Sequence, residues 1–193
     1  GNVSFMSKNR VNTSKDLYDR RNENFTYGAK ATYFINTRNN LNLSWNSDNY
    51  KLTDKITPAD LQTAYNNTNN TARLLGDFKL AGWNNLTARA EYIAENLTAP
   101  RNNIEDKTNT DYIVYAQEDI QLGEKLDIIG GARAHNNSQY GWHFTPQVSA
   151  MVKIWHFNLR ANYSRGYKTP TLKEKYMSFK IPAPGPPMFL VGN

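Results

Sequence analysis

The side chains able to do chemistry fall into three sets. The first is a histidine pair. His135 and His143 flank a turn signal centred on Gln139. If their strands pair directly, the two side chains start roughly 5 Å apart at Cβ. Two imidazoles at that spacing could share a metal ion or contact a haem. The simpler reading is a polar pair on a wet face, because no third ligand is apparent. No resident metal or cofactor is expected. His156 sits in a tight turn and reads as a turn residue.

The second set is charged: Arg89, Glu91, Arg133 and Arg160 lie inside strand-like segments. They could line a route for a charged substrate or form structural ion pairs. The third set is the block Tyr167-Lys168-Thr169-Pro170. A proline there stops strand pairing and an aromatic anchors the strand end. The same residues could also capture a ligand. A Gly-rich phosphate loop, a metalloprotease helix motif and a nucleophile elbow are all missing, so an enzyme is not expected.

Strands must position these groups, because period-two alternation dominates the chain. Phe25, Tyr27, Ala29, Ala31, Tyr33 and Ile35 share one face, against Thr26, Gly28, Lys30, Thr32 and Asn36, with Phe34 the exception. Leu86, Ala88, Ala90, Tyr92 and Ala94 oppose Thr87, Arg89, Glu91 and Glu95. Leu126, Ile128, Gly130, Ala132 and Ala134 oppose Asp127, Arg133 and His135. Phe157, Leu159, Ala161 and Tyr163 oppose Asn158, Arg160, Asn162 and Ser164. With a weaker strand near Val3 to Arg10, the pattern predicts about nine strands.

Connections alternate in length. Short ones fall near Asn36–Asn40, Trp83–Asn85, Gly123–Lys125 and Trp155–His156. Long ones fall near Val11–Asn24, Lys55–Asn70, Thr98–Lys107 and Asn136–Trp142. Pairing Ile35 with Leu41, Ile120 with Ile128, and Ile154 with Phe157 keeps the apolar faces together across each short turn. A one-residue slip would flip a whole strand. Within Lys55–Asn70, Thr57, Pro58 and Asp60 suggest a short helix. Residues 181 to 187 (Ile-Pro-Ala-Pro-Gly-Pro-Pro) read as an exposed loop.

The apolar faces are rich in Ala, Gly, Leu, Val and Tyr. Such residues suffice against lipid, whereas a packed core needs bulkier ones to reach interior density. Tyr and Trp tend to fall near strand ends, as interfacial girdles require. The pattern therefore predicts an all-β, antiparallel transmembrane β-barrel with short periplasmic turns and long extracellular loops. A mean hydropathy of −0.74 is compatible with that, because only half of each strand meets lipid. No stretch approaches the ~20 apolar residues of a membrane helix. Aromatics at 12 % argue against disorder. There are no cysteines, so neither disulfides nor thiolate metal sites arise. The net charge of +6 comes from intermingled Lys, Arg, Asp and Glu, which predicts a solvated surface rather than a nucleic-acid stripe. The chain opens without a secretory signal, so a mature internal piece is expected. Nine strands do not close a conventional barrel, so a partial barrel domain over residues 1–193 is expected.

Residues 109 to 193 carry a resemblance. Thr110 to Asp119 is similar to a strand found midway through the barrels of TonB-dependent outer-membrane receptors, and Ile129-Gly130-Gly131-Ala132-Arg133 resembles the strand that follows. The most specific part runs from Leu159 through Arg165-Gly166-Tyr167-Lys168-Thr169-Pro170 to Leu172, Glu174 and Tyr176. It resembles that family's arginine-glycine-aromatic-basic-small-proline box, with Lys168 and Thr169 where arginine and alanine are commonest. Gly192-Asn193 would begin the next family box. Residues 1 to 108 match in style alone.

The resemblance implies part of a 22-stranded barrel in the outer membrane of a Gram-negative bacterium, with the plug domain outside this chain. It implies import of a scarce nutrient, with TonB as partner through the plug. A ferric siderophore or cobalamin is expected before haem, because no histidine lies between Pro170 and Asn193. Tyr167, Lys168, Pro170, His135 and His143 are then ligand-binding candidates, and Arg89, Glu91, Arg133 and Arg160 lumen-lining candidates. The alternatives are a passive porin or structural barrel and a soluble β-sandwich binding module. The Arg165 to Pro170 box and an upstream plug separate the first from a receptor; solubility without detergent marks the second.

Overall fold

A computed structural model describes residues 2–15, 18–57, 60–176, 178–181 and 188–191, with side chains over 21–53, 63–100 and 102–176. Nine antiparallel strands form one meander, each bonded to its sequence neighbour: β1 (Asn2–Lys15), β2 (Tyr18–Phe34), β3 (Asn40–Thr57), β4 (Asp60–Ala81), β5 (Asn84–Ala99), β6 (Ile104–Leu122), β7 (Leu126–Asn137), β8 (Gly141–Ile154) and β9 (Phe157–Ser164). β1 and β9 are the two edges of the sheet. The short helix α1 (Leu172–Tyr176) follows. β10 (Ser178–Ile181) and β11 (Met188–Val191) then form a separate hairpin. Of the proline-rich stretch, residues 182–187 lie outside the described residues.

The four short turns stand where alternation placed them. Ile120 pairs with Ile128, and Ile154 with Phe157. Leu41 pairs with Tyr33 rather than Ile35. The first turn is therefore two residues wider on its β2 side, and the amides of Ile35 and Asn36 both donate to the Asn39 carbonyl. A shift of two preserves facing, so the apolar side chains remain on one side.

The other ends differ from expectation. Most of the residues expected in long loops are strand. β4 has 22 residues and β3 has 18. At ~3.3 Å per residue a strand of that length reaches about 70 Å, more than twice a ~30 Å hydrocarbon layer. The expected helix within Lys55–Asn70 is not formed: β3 runs to Thr57 and β4 starts at Asp60, with Pro58 and Ala59 outside the described residues. Backbone pairing does not depend on side-chain alternation. Where no apolar medium bounds one face, the ladder continues through Asn- and Thr-rich sequence that lacks the period-two signal. Asn49 donating to Asn66 and Thr68, and Thr108 donating to Asn96, are cross-strand bonds of these extensions.

The two faces separate by polarity. One cross-sheet row reads Ala29, Trp45, Ala72, Tyr92, Tyr112, Asn136 and Trp142. Its large rings are exposed. Tyr92 and Tyr112 pack with centroids 5.2 Å apart. A second group of exposed rings, Trp83, Trp155 and Phe157, lies at the short turns. From Tyr112 to the end of β6 is about ten residues, the length of a membrane-crossing strand. Glu118 breaks the apolar parity; it lies near the short-turn end and accepts from Asn84 Nδ2 at 2.6 Å.

Candidate functional site

The opposite face carries the charged rows. One joins Arg73, Glu91, Ile113, His135 and His143. The next joins Leu75, Arg89, Tyr115, Arg133 and Thr145. A third joins Asp77, Thr87, Gln117, Gly131, Gln147 and Ser164. His135 and His143 are therefore directly paired, as their spacing about Gln139 predicts.

Gly131 shapes the third row. A Cβ there would stand 3.0 Å from the Ala116 carbonyl oxygen and 3.2 Å from Gln147 Nε2. Its absence lets Gln147 Nε2 cross the strand and donate to Gln117 Oε1 at 2.7 Å and to the Tyr115 hydroxyl oxygen at 3.1 Å. Tyr115 in turn donates to Gln117. That network holds the Tyr115 ring between Arg89 and Arg133. Arg89 Cζ lies 5.6 Å from the ring centroid.

His135 is held from behind. Its Nε2 lies 2.6 Å from Asp111 Oδ1, and an ionised carboxylate accepts only, so the ring donates. Asn137 Nδ2 also donates to Asp111 Oδ1, at 2.6 Å, and to Asn109 Oδ1 at 2.9 Å. All four residues are buried. A buried network with every member bonded fixes its side chains in one arrangement. His135 is thus oriented at the far end of β7.

After Ser164 the chain turns back across this face. The Arg165 amide donates to the Pro146 carbonyl at 3.2 Å. Tyr167 then lies over the histidines, its ring centroid 3.6 Å from His143 and 5.7 Å from His135. α1 is anchored further along. Leu172 is buried with Leu97, Ala99 and Ile104, flanked by Tyr65 and Tyr176. Its amide donates to Glu95 Oε2 at 3.2 Å. Lys173 Nζ sits over the stacked rings of Tyr50 and Tyr65, at 5.0 and 4.6 Å. Burial lowers the Lys173 pKa, opposed by the nearby Glu95 carboxylate. Lys175 donates to Gln139. Residues 165–176 are a strap over the long-hairpin end of the charged face.

Under the strap lies a cavity of about 480 Å³, lined by Leu75, Thr87, Arg89, Tyr115, Arg133, His135, Gln147, Arg165 and Tyr167 among others. A second, of about 390 Å³, includes His143, Trp142, Arg165 and Tyr167. The expected site residues divide accordingly. His135, His143, Tyr167, Arg89 and Arg133 come together. Glu91 is beside them, ion-paired to Arg73 at 3.0 Å and to Arg89 at 3.5 Å. Arg160 lies apart from both cavities and donates to Met151 Sδ at 3.4 Å. Lys168 is exposed and paired with Glu174 at 2.8 Å. That bond, with those from Thr171 to the same carboxylate, holds the Glu174 pKa down to about 2. Pro170 is exposed and lines neither cavity. Among the described residues no three His, Cys, Asp or Glu side chains cluster as metal ligands.

Tyr115, Gln147 and Arg165 had not been expected in the site. The first two stand on the polar parity of β6 and β8, a signal legible in the alternation. Arg165 reaches the site through the fold-back, which strand periodicity does not encode.

Comparison with known proteins matches this architecture. The family described as TonB dependent receptor-like, beta-barrel, matches residues 2–193. The chain belongs to that family, and its sheet is a segment of an antiparallel transmembrane β-barrel whose closure needs further strands. The crystal structure of the siderophore receptor PirA from Pseudomonas aeruginosa shares the fold, with a TM-score of 0.58 at 15 % identity. The match covers 98 % of this chain and 46 % of that one. The family assignment makes the charged face the lumen and the apolar face the outer surface. It excludes the soluble β-sandwich.

Proposed function

We propose that this chain is part of an outer-membrane, TonB-dependent active transporter of a Gram-negative bacterium that binds and imports a ferric siderophore or cobalamin, with haem less favoured. The observation that carries the reading is the cavity under the strap. In a family of TonB-dependent receptor barrels, it gathers Arg133, His135 and Tyr167 from separate elements at the long-hairpin end of the lumen wall. Such a site binds by hydrogen bonds, charge and aromatic contact, without covalent chemistry. Substrate reaches it from the mouth, where the hairpins β3–β4 and β5–β6 extend past the membrane layer. TonB acts through a plug domain outside this chain, and lipid meets Leu43, Leu74, Val148 and Leu159 on the outer face.

The test is growth of a strain deleted for the gene, on defined iron and cobalamin sources, with and without TonB. Loss of growth on one source, reproduced by loss of TonB, is the expected result. Unchanged growth on every source, or uptake that persists without TonB, would sink the proposal and favour a passive porin.

A further inference from the structure

Three arginines meet at the cavity under the strap: Arg89 and Arg133 from one row of the lumen wall and Arg165 from the strap. Their charge is poorly answered. The Nε atoms of Arg89 and Arg133 are buried and without a hydrogen-bond acceptor among the described residues. Arg89 has one carboxylate near it, Glu91 at 3.5 Å, and Glu91 makes its closer bond to Arg73. Among the described residues, neither Arg133 nor Arg165 forms a side-chain ion pair. No Asp or Glu lines the cavity. Asp111, four residues from Tyr115 on β6, already accepts from His135 and Asn137. A buried guanidinium donor without an acceptor is costly, and an incoming oxyanion repays that cost with charge-assisted bonds. Guanidinium is planar and matches a carboxylate or a pair of adjacent phenolate oxygens in two-pronged fashion.

We infer that this cavity selects, within the transport function proposed above, for a ferric chelate of net negative charge with carboxylate or catecholate oxygens on its surface. Arg133 and Arg165 are its principal contacts. Tyr115 and Tyr167 supply flat walls. Arg165 reaches the cavity because the strap lies across the lumen face. Cationic hydroxamate chelates meet repulsion in this cavity, and cobalamin gains little from it.

The experiment uses the full-length receptor in detergent and four probes: ferric citrate, a ferric tris-catecholate, the cationic ferric desferrioxamine complex and cyanocobalamin. Binding is measured for the wild type and for Arg133→Gln, Arg165→Gln and Arg133→Lys, each checked for a native thermal transition. Whole-cell uptake of the same probes is measured with and without TonB. At least one anionic chelate should bind, with affinity falling at least tenfold in Arg133→Gln and Arg165→Gln, partly restored in Arg133→Lys, and weakening with salt. Binding of the cationic chelate or cobalamin alone overturns the inference and leaves the transporter reading intact. So does anionic binding unchanged by either glutamine variant. A fall in thermal stability with no change in affinity also overturns it, because the arginines would then pair with a carboxylate elsewhere in the receptor. Uptake of none of the four, or uptake indifferent to TonB, removes the transporter reading as well.

Discussion

His143 and Tyr167 show how much one side chain decides here. The Tyr167 ring is the strap's contact with the histidine pair, and an aromatic contact of this kind adds roughly 0.5–1.5 kcal/mol beyond area burial. Tyr167→Ala should loosen residues 165–171 without disturbing the ladder. Limited trypsin digestion should then cut at Arg165 or Lys168 severalfold faster, while heat-induced unfolding of the barrel stays put. Equal cutting rates would deny Tyr167 this role.

Glu174 gives a pH test of the same strap. Its folded pKa, about 2, lies below the ordinary 4.5 because Lys168 and Thr171 bond the charged form. The stabilisation it lends is complete above the unfolded value and disappears as pH falls through the folded one. Backbone exchange of Thr171, whose amide donates to Glu174, should therefore be slow at neutral pH and quicken as pH falls from about 4.5 to 2. In Glu174→Gln that acid-driven increase, corrected for intrinsic exchange, should be absent.

β6, β7 and β8 were readable because each alternates and each short turn preserves parity. The strap was readable as a box but not as a shape. The sequence places Tyr167, Lys168 and Pro170 at a strand end; in the structure Lys168 is held by Glu174, and Tyr167 lies over the histidine pair on the lumen face. α1 supplies the reason. Leu172 is the one strongly apolar side chain of that short helix, and its pocket of Leu97, Ala99 and Ile104 comes from the β5–β6 hairpin. Leu172→Ala should cost about 2–5 kcal/mol locally. That exceeds what a five-residue helix can supply alone, so α1 should undock. Hydrogen exchange over 171–176 would then approach that of an unstructured peptide. Protection retained there would show that Lys173 on Tyr50 and Tyr65 suffices. A different element tests the third row: Gly131→Leu places a side chain against Gln147 Nε2 and the Ala116 carbonyl, should break the Gln117–Gln147 bridge, and should lower the melting temperature of the receptor by several degrees.

For the whole molecule, the outer row of Trp45, Tyr92, Tyr112 and Trp142 marks one boundary of the apolar band, and Trp83 and Trp155 mark the other. In bilayers containing brominated lipids, single-tryptophan receptors retaining Trp45 or Trp142 should be quenched most by bromines near the headgroup, as expected of interfacial rings. Quenching by neither shallow nor deep bromines would contradict the lipid-facing assignment. The edges β1 and β9 bear on a second property. Each offers a row of unpaired backbone groups, which promotes association, so the isolated chain in plain buffer should aggregate rather than remain monomeric.

Alternation in the sequence was enough for the nine strands of the main sheet, the polarity of their two faces and the direct pairing of His135 with His143, but not for the β10–β11 hairpin or the full length of the strands. The first three follow from a period of two and from turns that preserve it, which are local rules. The sequence also carried the family box at Arg165 to Pro170. Two features needed the tertiary structure. The polar hairpins continue as strand because backbone hydrogen bonds extend the ladder without side-chain alternation. The strap folds inward because Tyr167 and Leu172 find partners on β5 to β8, many residues away. Contacts between such distant segments depend on where the whole sheet places them, so the cavity that joins Arg165 to Arg89 and Arg133 exists only once the chain has folded.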